Sequence, residues 1–338
     1  MDNLDGSNDS YSGPYKPFED ITRDFSTIAQ IQWAAQFESI NFRGADGSLN
    51  SYEELDTTPV PISVYVPKTV AGVCEPPFRV AIVQHGLGSS RLISGMGLAP
   101  TLAEPETCLA SVAIDTVLHG GRAEDSDTLH PLEYDGEESG SGFLSVDFVS
   151  SKNNFVQGVV DLVVLNQLIR SGGLEGLVDN TTTNGMDPMF DTTKVGIIGT
   201  SLGGIFSTDL LAIDPDITAG VLAVPPGKLT YYLTEESGIG EMVLAPLALL
   251  GIERGTYDFD SLMSIVQWVA DVIDPANFAM HSVAGNRLGR DLAWEFLKDN
   301  WGEFDRRYGE GGFGLMQLVS FTSAFTSQEK RDEVERFF

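Results

Sequence analysis

The sequence predicts an α/β fold: a mainly parallel sheet flanked by helices, with an all-helical segment at the C-terminal end. Three observations carry this. Between about residues 60 and 224, short apolar runs alternate with stretches of helical periodicity, the pattern of strands joined through crossover helices. The run from Lys194 to Ile198 ends in Gly199-Thr200-Ser201-Leu202-Gly203, and Ile205 to Ile213 then reads as a helix. Beyond Val283 only helical patterns remain. Leu288, Leu292 and Phe296 share one face, Leu315, Leu318 and Val319 another, and Thr326-Ser327-Gln328-Glu329 is a capping box for a last helix.

Residues 1–34 read as an acidic arm, rich in Asn, Ser and Gly. Strand signals follow at Ser39–Phe42 and Val60–Val66, and Phe78 to Gln84 is a buried-strand run closed by His85-Gly86-Leu87-Gly88. A helix over 92–104 and a strand at Ser111–Asp115 come next. The loop from Ala123 to Gly142 is dense in acid but matches no calcium-loop spacing. Asn153 to Arg170 is helical and stops at Gly172-Gly173; Ala219 to Val224 reads as one more buried strand. The apolar, glycine-broken stretch 231–255 suits a lid or cap, and Ser261–Val272 a helix. The chain thus divides into an arm (1–34), an α/β domain (35–281) and a helical segment (282–338).

Composition narrows the partners. The formal charge is −29, with an isoelectric point near 4.2, which argues against nucleic acid and anionic membranes. The acidity is uneven: residues 283–338 carry 8 Lys+Arg and 10 Asp+Glu, a net of −2, and the other 282 residues carry −27. No apolar run is long enough to span a bilayer, and the N-terminal residues lack a signal-peptide pattern. Cys74 and Cys108 are too few for a disulfide framework or a cysteine metal site. They pair in an oxidising compartment or remain two buried thiols.

The chemistry-bearing pattern is the strand, Gly-x-Ser-x-Gly turn and helix around Ser201. A serine at the tip of such a turn is backbone-strained, with the flanking chain very close, so glycine is required at Gly199 and Gly203. Its hydroxyl stands above the sheet edge, and the Leu202 N–H, at a helix N-terminus, can stabilise an oxyanion. The turn His85-Gly86-Leu87 follows a strand well upstream, where the Leu87 N–H would be the second donor.

Several segments in order resemble the α/β-hydrolase superfamily. These are Val83-Gln84-His85-Gly86-Leu87-Gly88, Ala113-Ile114-Asp115 with His119-Gly120-Gly121-Arg122, and Asn154 to Asp161. Gly199 to Gly204 and Asp274 to Ala279 complete the set. More narrowly, residues 35–280 resemble bacterial extracellular virulence-factor lipases. The resemblance implies a serine ester hydrolase with Ser201 as nucleophile, an ester or lipid small molecule as substrate, transient contact with lipid interfaces, an extracellular or periplasmic setting and no cofactor. The tail, through Gly289 to Phe296 and Arg307-Tyr308-Gly309, resembles the C-terminal helical domain of puromycin-sensitive-type zinc aminopeptidases. The zinc motif His-Glu-x-x-His is absent from the sequence, so neither metal nor peptidase activity is carried over.

In α/β-hydrolases the order is Ser, then acid, then His. Only His281 follows Ser201, with Asp258, Asp260, Asp271 and Asp274 between them. His281 is therefore the candidate base, and Asp271 or Asp274 the candidate acid. His85 and His119 are expected to shape the oxyanion turn rather than act as bases. The alternative is a truncated or composite, catalytically impaired hydrolase core joined to a helical binding module.

Overall fold

The computed structural model describes residues 24–44, 47–48, 56–123, 139–145, 147–178, 189–234 and 238–283. A six-stranded sheet of order β1-β2-β4-β3-β5-β6 forms the centre. Its strands are β1 (Ile28–Asn41), β2 (Asp56–Pro67), β3 (Phe78–Gln84), β4 (Leu109–Ile114), β5 (Phe190–Thr200) and β6 (Ile217–Ala223). β1 and β2 are antiparallel, as are β2 and β4; β4, β3, β5 and β6 run parallel. This is an α/β-hydrolase-like sheet, mixed at one side and mainly parallel at the other.

Seven α-helices accompany it among the described residues: α1 (Arg91–Leu102), α2 (Phe148–Arg170), α3 (Leu202–Ile213), α4 (Leu229–Thr234), α5 (Gly238–Leu249), α6 (Tyr257–Ala270) and α7 (Pro275–Phe278). Their starts follow capping chemistry. Ser90 accepts from the Ile93 N–H, Asp147 from Val149 and Ser150, and Thr256 from Phe259, each satisfying donors the first turn leaves free. α2 is buried along nearly its whole length, so its polar residues need partners. Asn153 donates to the Gly47 carbonyl, Asn154 to that of Phe143, and Gln157 Oε1 accepts from the Phe42 N–H.

The central strands β3 and β4 are buried on both faces, as parallel strands between helix layers must be, and antiparallel β2 is buried from Val60 to Pro67. The main core lies between the sheet, α2 and α3; a second cluster of Phe25, Ile28, Ile31 and Trp33 packs on α1. That second cluster shortens the expected arm. β1 starts at Ile28, because four large apolar residues within 25–33 bury themselves there; residues 1–23 lie outside the described set.

Cys74 and Cys108 form a disulfide, resolving the alternatives that composition left open. The expected burial of the strand near 219–224 does not hold. Thr218, Ala219, Gly220 and Val221 in β6 are exposed, because β6 ends the sheet and no described strand lies beyond it. The stretch 231–255 contributes α4 and α5. Together with α6 it has a small apolar core of its own around Val243, Leu247 and Phe259. The helices expected beyond residue 283 lie outside the described residues, as does most of the acidic loop 123–142.

Candidate active site around Ser201

β5 delivers the chain to Thr200, and α3 begins at Leu202. Ser201 between them has φ 54° and ψ −115°, a conformation that L-residues rarely adopt and that costs about 1–3 kcal/mol. The strain is held in place from both sides. The Ser201 N–H donates to the Ala223 carbonyl at 2.9 Å, tying the turn to the end of β6, and the Ile205 N–H donates to the Ser201 carbonyl at 3.1 Å.

The glycines are required by close approach. A Cβ on Gly199 would run into the Gly203 carbonyl and the Ser207 hydroxyl. One on Gly203 would lie 2.6 Å from the His85 carbonyl oxygen and closer still to that of Gln84. α3 can therefore start directly against the end of β3 only with glycine there. Gly86 completes the contact: a Cβ on it would sit 3.3 Å from Ser201 Cβ. The turn that carries Leu87 is thus packed against Ser201, while Leu202, first in α3, is buried. Ser201 itself is half-buried, and its hydroxyl makes no hydrogen bond among the described residues.

The two histidines beside this turn are buried and hold loop backbone groups, although His119 Nε2 has no hydrogen-bond partner among the described residues. His85 Nδ1 donates to the Gly86 carbonyl at 2.9 Å, and its Nε2 accepts from the Thr116 N–H at 3.1 Å. That fixes one neutral tautomer, and burial lowers the imidazole's pKa; the Asp115 charge opposes this only in part. His119 Nδ1 pairs with the Val117 carbonyl at 2.9 Å, and its ring lies 5.1 Å from that of His85. Burial, reinforced by His85, pushes its pKa down to about 3. Both are neutral supports of the loops under the turn.

Below them is an ionic network that sequence reasoning missed. The buried Asp115 carboxylate accepts from the Arg91 guanidinium, from the Arg91 N–H at 2.7 Å and from the Gly121 N–H at 3.0 Å. Asp161 accepts from Arg122 at 2.6 Å, Ser39 at 2.6 Å and Gln157 at 2.8 Å. Gly120 (φ 52°) was the available signal, since any Cβ there would strike the Asp115 carboxylate.

The candidate acids are held by different partners. Asp274 is completely buried and saturated by donors: the N–H groups of Lys228, Leu229 and Ala276, and the Gln267 amide. It caps α4 and α7 at once. Asp271 ends α6, where its carboxylate accepts from Gln267 at 2.9 Å. Asp258 and Asp260 sit in the exposed first turn of α6. His281 is half-buried at the end of the 3-10 turn Ala279–His281, whose other two residues are exposed and which packs against α3. The elbow helix and the candidate base therefore belong to touching elements.

Two further buried titratable groups were not legible in the sequence. Asp209, on α3, has an unpartnered Oδ1 among the described residues; burial, with the nearby Asp274 carboxylate, raises its pKa well above the usual range. Lys152 borders a cavity of about 40 Å³ between α2 and the α4–α6 group, lined also by Phe148, Phe155, Leu233, Val243 and Val266. Burial lowers its pKa to about 8.

A family model, the ERAP1-like C-terminal domain, matches residues 272–338. In the same region the chain is 34% identical over 70 residues to endoplasmic reticulum aminopeptidase 2 of Homo sapiens. It is 41% identical over 69 residues to the thyrotropin-releasing hormone-degrading ectoenzyme of Homo sapiens. These matches cover 20% of this chain and only 7% and 6% of those relatives. Among solved structures, acetyl xylan esterase 1 from Thermoanaerobacterium sp. JW/SL YS485 is 17% identical with a TM-score of 0.41, over 74% of this chain and 69% of that one. A carboxyl esterase from Bacillus coagulans is 15% identical with a TM-score of 0.37, over 90% and 96%. By its own topology the first part is a mixed, mainly parallel α/β sheet flanked by helices, and in sequence the last 67 residues are similar to an aminopeptidase C-terminal domain.

Proposed function

We propose that this chain is a serine carboxylic-ester hydrolase of the lipase, esterase or lysophospholipase kind, working through an acyl-enzyme at Ser201. The observation that carries the reading is the strained Ser201 backbone (φ 54°) at a strand-to-helix turn, pressed against Gly86 and Gly203. A fold holds such a conformation only where surrounding contacts over-determine it, and here they present a half-exposed hydroxyl at a helix start. In the proposed reaction Ser201 Oγ attacks the ester carbonyl. The Leu202 and Leu87 N–H groups stabilise the oxyanion, the alcohol leaves, and water releases the acid.

His281 is the proposed base by elimination. His85 and His119 are buried and neutral, and His130 lies outside the described residues. The packing of its turn on α3 supports this, and hydrogen bonds of this kind commonly tighten only with substrate bound. Asp271 is the better acid, because Asp274 is already saturated by four donors. The helices α4–α6 serve as a cap, and the substrate is an uncharged or zwitterionic ester, as the net charge of −29 disfavours anionic surfaces.

One observation favours a second reading, an impaired hydrolase core. Ser201 Oγ makes no hydrogen bond to any described histidine. The two readings separate in one experiment, a fluorophosphonate probe with p-nitrophenyl ester turnover in the wild type and in Ser201→Ala. Labelling at Ser201 with turnover that His281→Ala abolishes supports the complete enzyme. Labelling without turnover supports the impaired core, and folded protein that takes no label refutes both as hydrolase chemistry.

A further inference from the structure

On its parallel side the sheet ends in β6. β6 pairs with β5 along one edge and α3 covers one of its faces, where a Cβ on Gly220 would strike Leu211; its other edge meets no described strand, and Thr218 to Val221 are exposed. Ile217 to Ala223 contains neither charge nor proline, the usual protections of an edge strand. Exposed apolar side chains occur on and after β6, Val221 (59%) and Val224 (77%), and on and just after the Ala279–His281 turn that packs against α3, Met280 (62%) and Val283 (57%). β6 and the Ala279–His281 turn both pack on α3, and a Cβ on Gly227 would touch Ala276 at 3.5 Å, so the segment after β6 adjoins the start of α7.

We propose that residues 284–338 of this same chain fold back over this face, so that the aminopeptidase-like segment and the hydrolase-like sheet share one core. Continuity is the first argument. The family match starts at residue 272, and its first described residues already belong to the hydrolase core: Val272, Ile273 and Phe278 are in the main apolar cluster, and Asp274 caps α4. Position is the second. The 55 residues that follow Val283 leave from the edge of the exposed patch. Charge is the third. The segment from Val283 carries 8 of the 20 basic residues at a net of −2, facing a core of −27, whereas a second copy would bring another −29. The sequence also gives it the amphipathic stripes Leu288/Leu292/Phe296 and Leu315/Leu318/Val319 that such a face would bury.

The test uses the full chain and trypsin, with Arg287, Arg290, Lys298, Arg306 and Arg307 as reporters. Val221→Asp/Val224→Asp alters two exposed valines and leaves the sheet's own packing untouched. Docking predicts cleavage at those sites at least about tenfold slower in the wild type than in the variant. Equal rates overturn the proposal. Amine cross-linking of the wild type gives an answer even if the variant misfolds: links within one chain from Lys194 or Lys228 to Lys298 or Lys330 support docking. Their absence, or a sedimenting dimer whose links join two chains, overturns it.

Discussion

Gly203→Ala is the sharpest test of how the site is built. The added Cβ would stand 2.6 Å from the His85 carbonyl, about 0.8 Å short of ordinary contact, and nearer still to that of Gln84. Neither neighbour is a flexible side chain. Both are backbone: Gln84 ends β3, paired in register with β4 and β5, and His85 follows it, so the start of α3 and the His85–Gly88 turn must move apart. Overpacking of this kind costs about 1–3 kcal/mol, and the better helix propensity of alanine returns about 1 kcal/mol. The expected stability change is therefore small. The functional change is expected to be large, because a displacement near 1 Å between nucleophile and oxyanion donors costs on the order of 10²-fold. The assay is the rate of fluorophosphonate labelling of Ser201, alongside a urea melt. Gly176→Ala, where an added Cβ meets nothing within 4 Å, is the control and should change neither. A Gly203→Ala protein that labels at the wild-type rate would refute the claim that this close approach sets the site.

Other consequences follow from the buried groups and the cross-link. Cys74→Ser/Cys108→Ser opens a loop between residues 34 apart and should lower unfolding free energy by about 4 kcal/mol in urea titration. Arg91→Met leaves the Asp115 carboxylate buried without its counter-charge and should cost about 3–5 kcal/mol, more than Arg122→Met, whose side chain is partly exposed. For pH, His85 and His119 have folded pKa values below the unfolded 6.5. The unfolded chain then binds more protons, and stability is complete above about pH 6.5. Below that, His119 alone removes about 1.4 kcal/mol per pH unit down to about pH 3, visible as a falling thermal midpoint. Asp209 works in the opposite sense. Its raised pKa means stability is lost as pH climbs through it, so Asp209→Asn should raise the midpoint at pH 7 and leave it unchanged at pH 3.5.

Local signals made most of the sheet and the elbow readable. Gly-x-Ser-x-Gly between an apolar run and a helical pattern could be located because each residue answers a short-range steric demand, and β3, β4, α2 and α3 fell where periodicity put them. What escaped depends on long-range partners. Arg91 is an ordinary helix-start residue in sequence; only the fold puts it against Asp115. Phe25 to Trp33 lie in polar surroundings that read as an arm, yet α1 offers them a surface. β6 looks like any buried strand, since exposure at a sheet edge is decided by whether another strand follows, not by its own residues. The role of Asp274 was hidden for the same reason: an Asp-Pro helix start is legible, but its second duty at α4 is not.

The seam between the two parts also bears on catalysis. The nucleophile turn and both proposed oxyanion donors follow the ends of β5 and β3, whereas Asp274 and His281 fall inside the stretch that matches the aminopeptidase domain. Ile273 and Phe278 nevertheless lie in the main core, and the described start of that stretch, residues 272–283, packs against α3. A base carried there would owe its placement to the apolar anchors on either side of Asp274, not to a strand of the sheet. Loosening those anchors, as in Phe278→Ala, should therefore reduce ester turnover through misplacement of His281 while the Ser201 backbone stays strained and intact. If turnover instead tracked only global stability, the acid–base function would have to reside elsewhere in the chain.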